Sequence, residues 1–356
     1  MTLSRYFSRL FVVRFLAVLC ALCALVELLE MLDAVRHLVG TNAGFHNVVV
    51  FSVLRLPLAM EQLFLLAVLI GGTLTFRALA QSNAMTVLRS AGMSPYRLLA
   101  GLLPLTVVLA AAYYGVVDWG APAAERSFAD WWQTISVQDE EDEPEAQGTV
   151  WLRYEGEIVS VTKVTEDGRG LIGLTRYLRK PDGMLSGRIT AASAEYAGGV
   201  WHLHDAEVLS LAGGTPEVTR RPELNWTDGP QPENFEELAL PTRRMQSVKS
   251  REVLNGQWAG IAAAAHYRTL MQRSYSAPFL PFLMLLLATP ALAGNGRRSS
   301  SRGMAVAISL GLLFLVTAGF LSSMSEAGAL PPVIAIWTAP LAFAALGFSL
   351  LLHYEE

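Results

Sequence analysis

Glu27, Glu30 and Asp33 stand three residues apart in an apolar run, so a helix sets them close to one face. Carboxylates placed there can neutralise a nearby base, or share a divalent cation with lipid phosphates. Arg36 and Arg55 are the bases that could serve them. A guanidinium also grips phosphate through a two-pronged hydrogen bond, so the same arginines could instead hold an anionic head group. At the depth of Glu27 an unpaired charge costs about 3 kcal/mol or more, which requires it to face protein or water. The other reactive residue types give no support to catalysis. Cys20 and Cys23 form a CxxC without the polar surroundings or further ligands that redox or metal chemistry needs. His202 and His204 alternate with apolar residues and read as a solvated strand face, and the remaining four histidines stand apart. Searches for GxxxxGK[ST], HExxH, GxSxG and helix-opening GxGxxG motifs find none. The reading is of a non-enzyme without cofactor or metal.

The elements that hold these residues are membrane spans. Of 356 residues 52% are hydrophobic and 16% charged, and the mean hydropathy of +0.37 points to lipid as a second solvent. A net charge of −4 with scattered bases excludes nucleic acid as a partner. The expected spans are Phe11–Leu32, Leu58–Ala78, Leu98–Val117, Tyr275–Ala293, Met304–Ser322 and Val333–Leu352. The first extends too far to be a signal-peptide core and is expected to stay as an anchor. Residues 1–117 therefore hold three spans, with an interfacial piece at Ser4–Phe15; residues 118–274 form an outer domain, and residues 275–356 hold three more spans. Arg5, Arg9, Arg14, Arg77, Arg89, Arg97, Arg297, Arg298 and Arg302 flank the spans on one side, which places both termini in the cytoplasm and the central segment outside.

That segment reads as β. Val159 and Val161 alternate with Ser160 and Thr162, Trp201 and Leu203 with His202 and His204, and Gly198-Gly199 and Lys180-Pro181-Asp182-Gly183 mark turns. The expected fold is a membrane α-helical bundle with an inserted all-β, jelly-roll-like domain, in which Trp151, Val159, Val161, Trp201 and Leu203 line an apolar interior or groove. On the cytoplasmic side, residues 79–92 place Ala84, Val87, Leu88 and Ala91 on one helical face, ending at Gly92. Such a helix either docks in a partner's groove or packs on its own bundle.

This segment resembles the coupling helix of the LptF/LptG permease family, which reads roughly leucine-alanine-glutamine, a variable stretch, then alanine-serine-glycine or serine-alanine-glycine. The resemblance extends to the order of spans, the outer domain, Trp119-x-Ala121-Pro122-x-x-Glu125, Val200-Trp201-His202-Leu203 and Leu330-Pro331-Pro332, and is nearest to the LptG branch. It implies a heterodimer with an LptF-like permease, on two LptB-like ATPases, extracting lipopolysaccharide from the periplasmic leaflet of the inner membrane and passing it to LptC/LptA-like jelly-roll proteins. Two departures stand out. The family's acidic coupling residue falls at Ala84 and its preceding base at Ser82, leaving Arg89 as the charge there. Glu27, Glu30 and Asp33 stand where LptG-like chains carry a lysine. The rival readings are the LptF-type paralogue or another permease with a large outer domain, a membrane-anchored docking scaffold, and a membrane-embedded hydrolase, the last without any supporting motif.

Overall fold

The computed structural model describes residues 2–38, 45–81, 95–139, 149–165, 168–180, 184–211, 216–239, 244–256, 258–292 and 297–353. The chain divides into two compact units, residues 1–128 with 269–356, and residues 129–268.

Six helices among the described residues are long and apolar enough to cross a membrane: Arg5–Leu32, His46–Gln81, Gly101–Trp132, Ala264–Leu292, Ser301–Glu326 and Pro332–Leu352. They fall in two groups of three around the inserted segment, as the hydropathy pattern predicts. Helix α1 (Thr2–Leu38) is continuous and includes the Ser4–Phe15 piece. It runs antiparallel to α2 (Phe45–Gln81): Arg14 donates to the Leu74 carbonyl at 3.0 Å, Phe15 meets Phe64 edge to face, and Glu30 faces Arg55. Gly71 makes this approach possible, because a Cβ there would lie 3.0 Å from the Phe15 Cα. Phe11, Phe76, Leu69, Met284 and Phe314 fill the bundle core, while Leu25, Leu28, Leu29 and Leu32 of α1 point outward, as lipid permits. Thr73, Thr75 and Thr106 each donate to the carbonyl four residues back, so their hydroxyls stay satisfied without water.

Two spans are interrupted. Helix α3 (Pro95–Gly115) passes through a π-helical turn, Val116–Gly120, into α4 (Ala121–Asp139). The fourth span is segmented into α7 (Ala264–Ser276), a 3-10 turn at Ala277–Phe279, α8 (Leu280–Leu287) and a second 3-10 turn at Thr289–Leu292. Pro278, Pro281 and Pro290 lack the N–H that would continue the ladder. The Thr289 hydroxyl donates to the Leu286 carbonyl that Pro290 leaves free, and the Ser276 hydroxyl donates to the Arg273 carbonyl. Helices α9 (Arg297–Glu326) and α10 (Pro332–His353) complete the unit.

The second unit is an antiparallel all-β sheet: β1 (Val150–Tyr154), β2 (Glu157–Val161), β3 (Lys163–Val164), β4 (Gly170–Arg179), β5 (Leu185–Ala197), β6 (Val200–Ser210) and β7 (Glu217–Trp226). The spatial order is β1-β2-β4-β5-β6-β7, with β3 also paired to β4. It is a meander, closed at Gly198-Gly199 and at Glu155-Gly156, where positive φ at both residues suits a two-residue hairpin turn. Inward-facing positions change phase partway along three neighbouring strands. Buried residues run Leu171 then Leu174 on β4, Ile189 and Ala191 then Ala194 on β5, and Trp201 and Leu203 then Ala206 on β6. Gly173 (φ 67°) and Asp205 (φ 51°) mark the switch. Both halves of the sheet thereby feed one apolar cluster, which Phe235 of α5 (Pro232–Ala239) joins. Helix α6 is Ser247–Leu254, and Gly260 pairs its N–H and carbonyl with those of Arg153 on the edge strand β1.

Candidate functional site

The α1–α2 contact brings part of the expected polar cluster together. Arg55 Nε lies 2.7 Å from Glu30 Oε2, and its guanidinium carbon sits 5.4 Å from the Phe51 ring centroid and 5.2 Å from that of Phe128. The two rings flank the arginine, adding a cation–π attraction that a lysine would match poorly in shape. One turn before Glu30, both Glu27 oxygens are buried. The Ser52 side chain is the hydrogen-bonding neighbour of Glu27, and Glu30 and Arg55 are the charges beside it. The side chains of Asp33 and Arg36 lie outside the described residues, as do Ala84, Val87, Leu88, Arg89, Ala91 and Gly92.

In the β unit the structure gathers four of the five expected residues. Val159, Val161, Trp201 and Leu203 are each fully buried in the packed core, with Trp201 donating its indole N–H to the Pro230 carbonyl at 2.7 Å. Trp151 is 48% exposed and stacks on Tyr177. Its register partner is Ser160 rather than Val159, which places it on the face away from Leu152 and the core. His202 hydrogen-bonds Asn225 at 2.9 Å. Cys20 and Cys23 are both free thiols, and among the described residues no three His, Cys, Asp or Glu side chains converge as a metal site would require.

A second polar cluster, missed by the sequence reading, lies around α7. Arg273 donates to Glu61 Oε1 at 2.6 Å, and the Glu61 side chain is only 2% exposed. Ser274 donates to Asp118 Oδ1 at 2.8 Å, and Tyr114 donates to Oδ2 at 3.3 Å. Thr269 shares a 2.6 Å hydrogen bond with Ser325 of α9, and Gln272 accepts from the Trp337 indole of α10 at 3.1 Å. Successive positions of one short helix thus bind α2, the π turn, α9 and α10. The signal was present: Glu61 is an acid inside an expected apolar span, and a charge in a span asks for a named partner. Asp118 and Arg273 fell at expected domain borders, where charge excites no question.

The six candidate spans, the β-domain inserted between the third and fourth, and the ion pairs within the helical bundle describe a multispan membrane protein with one large extramembrane domain. A family model described as lipopolysaccharide export system permease LptF/LptG matches residues 5–353. The chain belongs to the LptF/LptG family. No curated protein matches it. As an LptF/LptG member it is an integral inner-membrane transport permease for lipopolysaccharide and not itself an enzyme.

Proposed function

We propose that this chain is the LptG-type half of an ATP-driven lipopolysaccharide exporter, with both termini in the cytoplasm. Its bundle forms one wall of an outward-facing lipid cavity, near Glu27, Glu30, Asp33, Arg36 and Arg55. Its β-domain hands the lipid to LptC/LptA-like jelly-roll proteins. An LptF-like permease completes the membrane part on two LptB-like ATPases, one of which docks on residues 79–92 of this chain through Ala84, Val87, Leu88, Arg89, Ala91 and Gly92. Leu330-Pro331-Pro332 supports the LptG side.

The observation that carries this reading is the family match over residues 5–353, joined to an arginine held at 2.7 Å by Glu30 within the spans. A scaffold that only docked periplasmic proteins would have no use for such a group, whereas a guanidinium suits an acidic lipid. The test is reconstitution with a second permease and an ATPase in liposomes containing lipopolysaccharide. ATP-dependent transfer of the lipid to a soluble jelly-roll acceptor is expected. Co-purification without transfer would leave only a scaffold.

A further inference from the structure

The chain reaches its β-domain through α4 and returns through α7, since the unit borders at 128/129 and 268/269 fall inside those two helices. Asp118 stands in the π turn immediately before α4, and Ser274 in the last turn of α7. Their 2.8 Å hydrogen bond joins positions 156 residues apart and staples the outgoing path to the returning one. One residue earlier, Arg273 ties the same turn of α7 to Glu61 on α2. On either side of these contacts the backbone is irregular: the π turn Val116–Gly120 precedes α4, and the 3-10 turn Ala277–Phe279 with Pro278 follows α7. Such turns are where helices bend.

We infer that Asp118–Ser274 and Glu61–Arg273 form a releasable clasp at the neck of the β-domain, which opens and re-forms as each lipid moves through the bundle. Apolar helix faces slide by degrees. A hydrogen-bonded ion pair in a low-dielectric bundle is instead either made or broken, which gives the neck two discrete states. The partners are unequal in the way a latch requires. The Arg273 side chain is 40% exposed within this chain and has room to swing away, whereas Glu61, at 2%, is enclosed. Release at Arg273 frees α7 to pivot on the turn at Ala277–Phe279, and the staple at Ser274 makes α4 follow.

This inference rests on the transport reading, so its test is made on the reconstituted complex of this chain with its partner permease and ATPase. The readout is lipopolysaccharide delivered to a soluble acceptor per ATP hydrolysed. E61Q/R273Q removes both charges and strands neither. It is expected to assemble and to hydrolyse ATP at close to the wild-type rate, while lipid per ATP falls by about fivefold or more. S274A removes one hydroxyl, leaves every charge in place, and should lower the ratio in the same direction. Wild-type lipid per ATP in E61Q/R273Q overturns the clasp. If that variant fails to assemble, S274A decides alone, and a wild-type ratio there shows a static strut. Absence of transfer by the unmodified complex would fail the transport reading itself, a distinguishable result.

Discussion

Trp201 and Pro230 are joined by a 2.7 Å hydrogen bond from the indole N–H to a buried carbonyl, pinning the loop after β7 over the core of the β-domain. Gly229 in that loop lies so close that a Cβ would meet the Trp201 ring at 2.7 Å. Trp201→Phe strands the carbonyl and leaves a small void, so it should cost about 1–3 kcal/mol, and Trp201→Ala about 3–5 kcal/mol. Denaturant unfolding of the protein in detergent, followed by near-UV circular dichroism, checks both. A Phe variant as stable as wild type would show that the loop is held by other contacts. The same core bears on lipid passage. A photo-crosslinker at Trp151 samples the exposed face, whereas one at Val159 or Leu203 captures lipopolysaccharide only if the packed core opens to an acyl chain.

Helix periodicity and the inserted β-domain were legible in the sequence, because each follows from a local rule: apolar length and alternation. The phase change across β4, β5 and β6 was not legible. It depends on left-handed backbone at Gly173 and Asp205, and single residues of those types occur in ordinary turns as often. Trp151 was misplaced for a related reason, since strand register, not residue type, decides which face an aromatic takes. The Glu61–Arg273 pair spans 212 positions, and no local pattern announces a partner at that separation.

Docking of residues 79–92 is expected to be apolar, because Ala84 occupies the place of the family's acid. Val87→Asp buries a carboxylate in the groove and should release the ATPase, as should Leu88→Asp. Pull-down from detergent is the measurement. If the ATPase stays bound to both variants, that segment is not the docking helix.

Tyr154, at the end of β1, has its phenol pushed above its ordinary value of 10.0, chiefly by burial and then by the negative charges of Glu155 and Asp228. The folded state therefore favours the neutral phenol. Its contribution to stability is complete below the ordinary value and is lost as pH rises through the higher folded one. In an alkaline absorbance titration, the component removed by Tyr154→Phe should lie above pH 10, and the variant should resist alkaline unfolding better than wild type. A component at or below 10 would show that burial is not controlling this group.

Glu27 presents the sharpest question in the bundle. Arg55 is already engaged by Glu30 at 2.7 Å, and the buried Glu27 carboxylate has Ser52 and that shared arginine as its partners among the described residues. Two like charges one turn apart repel, so within this chain alone the second carboxylate is a burden. We expect a base on the neighbouring permease to relieve it. Glu27→Gln should then leave the isolated chain as stable as before, or more so, while the heterodimer dissociates about tenfold or more readily because that base is stranded. If a divalent cation joins Glu27 and Glu30 to lipid phosphate instead, the same variant assembles normally, and its lipid-stimulated ATPase activity loses its dependence on divalent ions. Thermal unfolding of the chain, heterodimer dissociation and ion dependence, measured on one mutant, separate the two. Wild-type behaviour in all three would mean that Glu27 does neither and reaches the interface along its own stem.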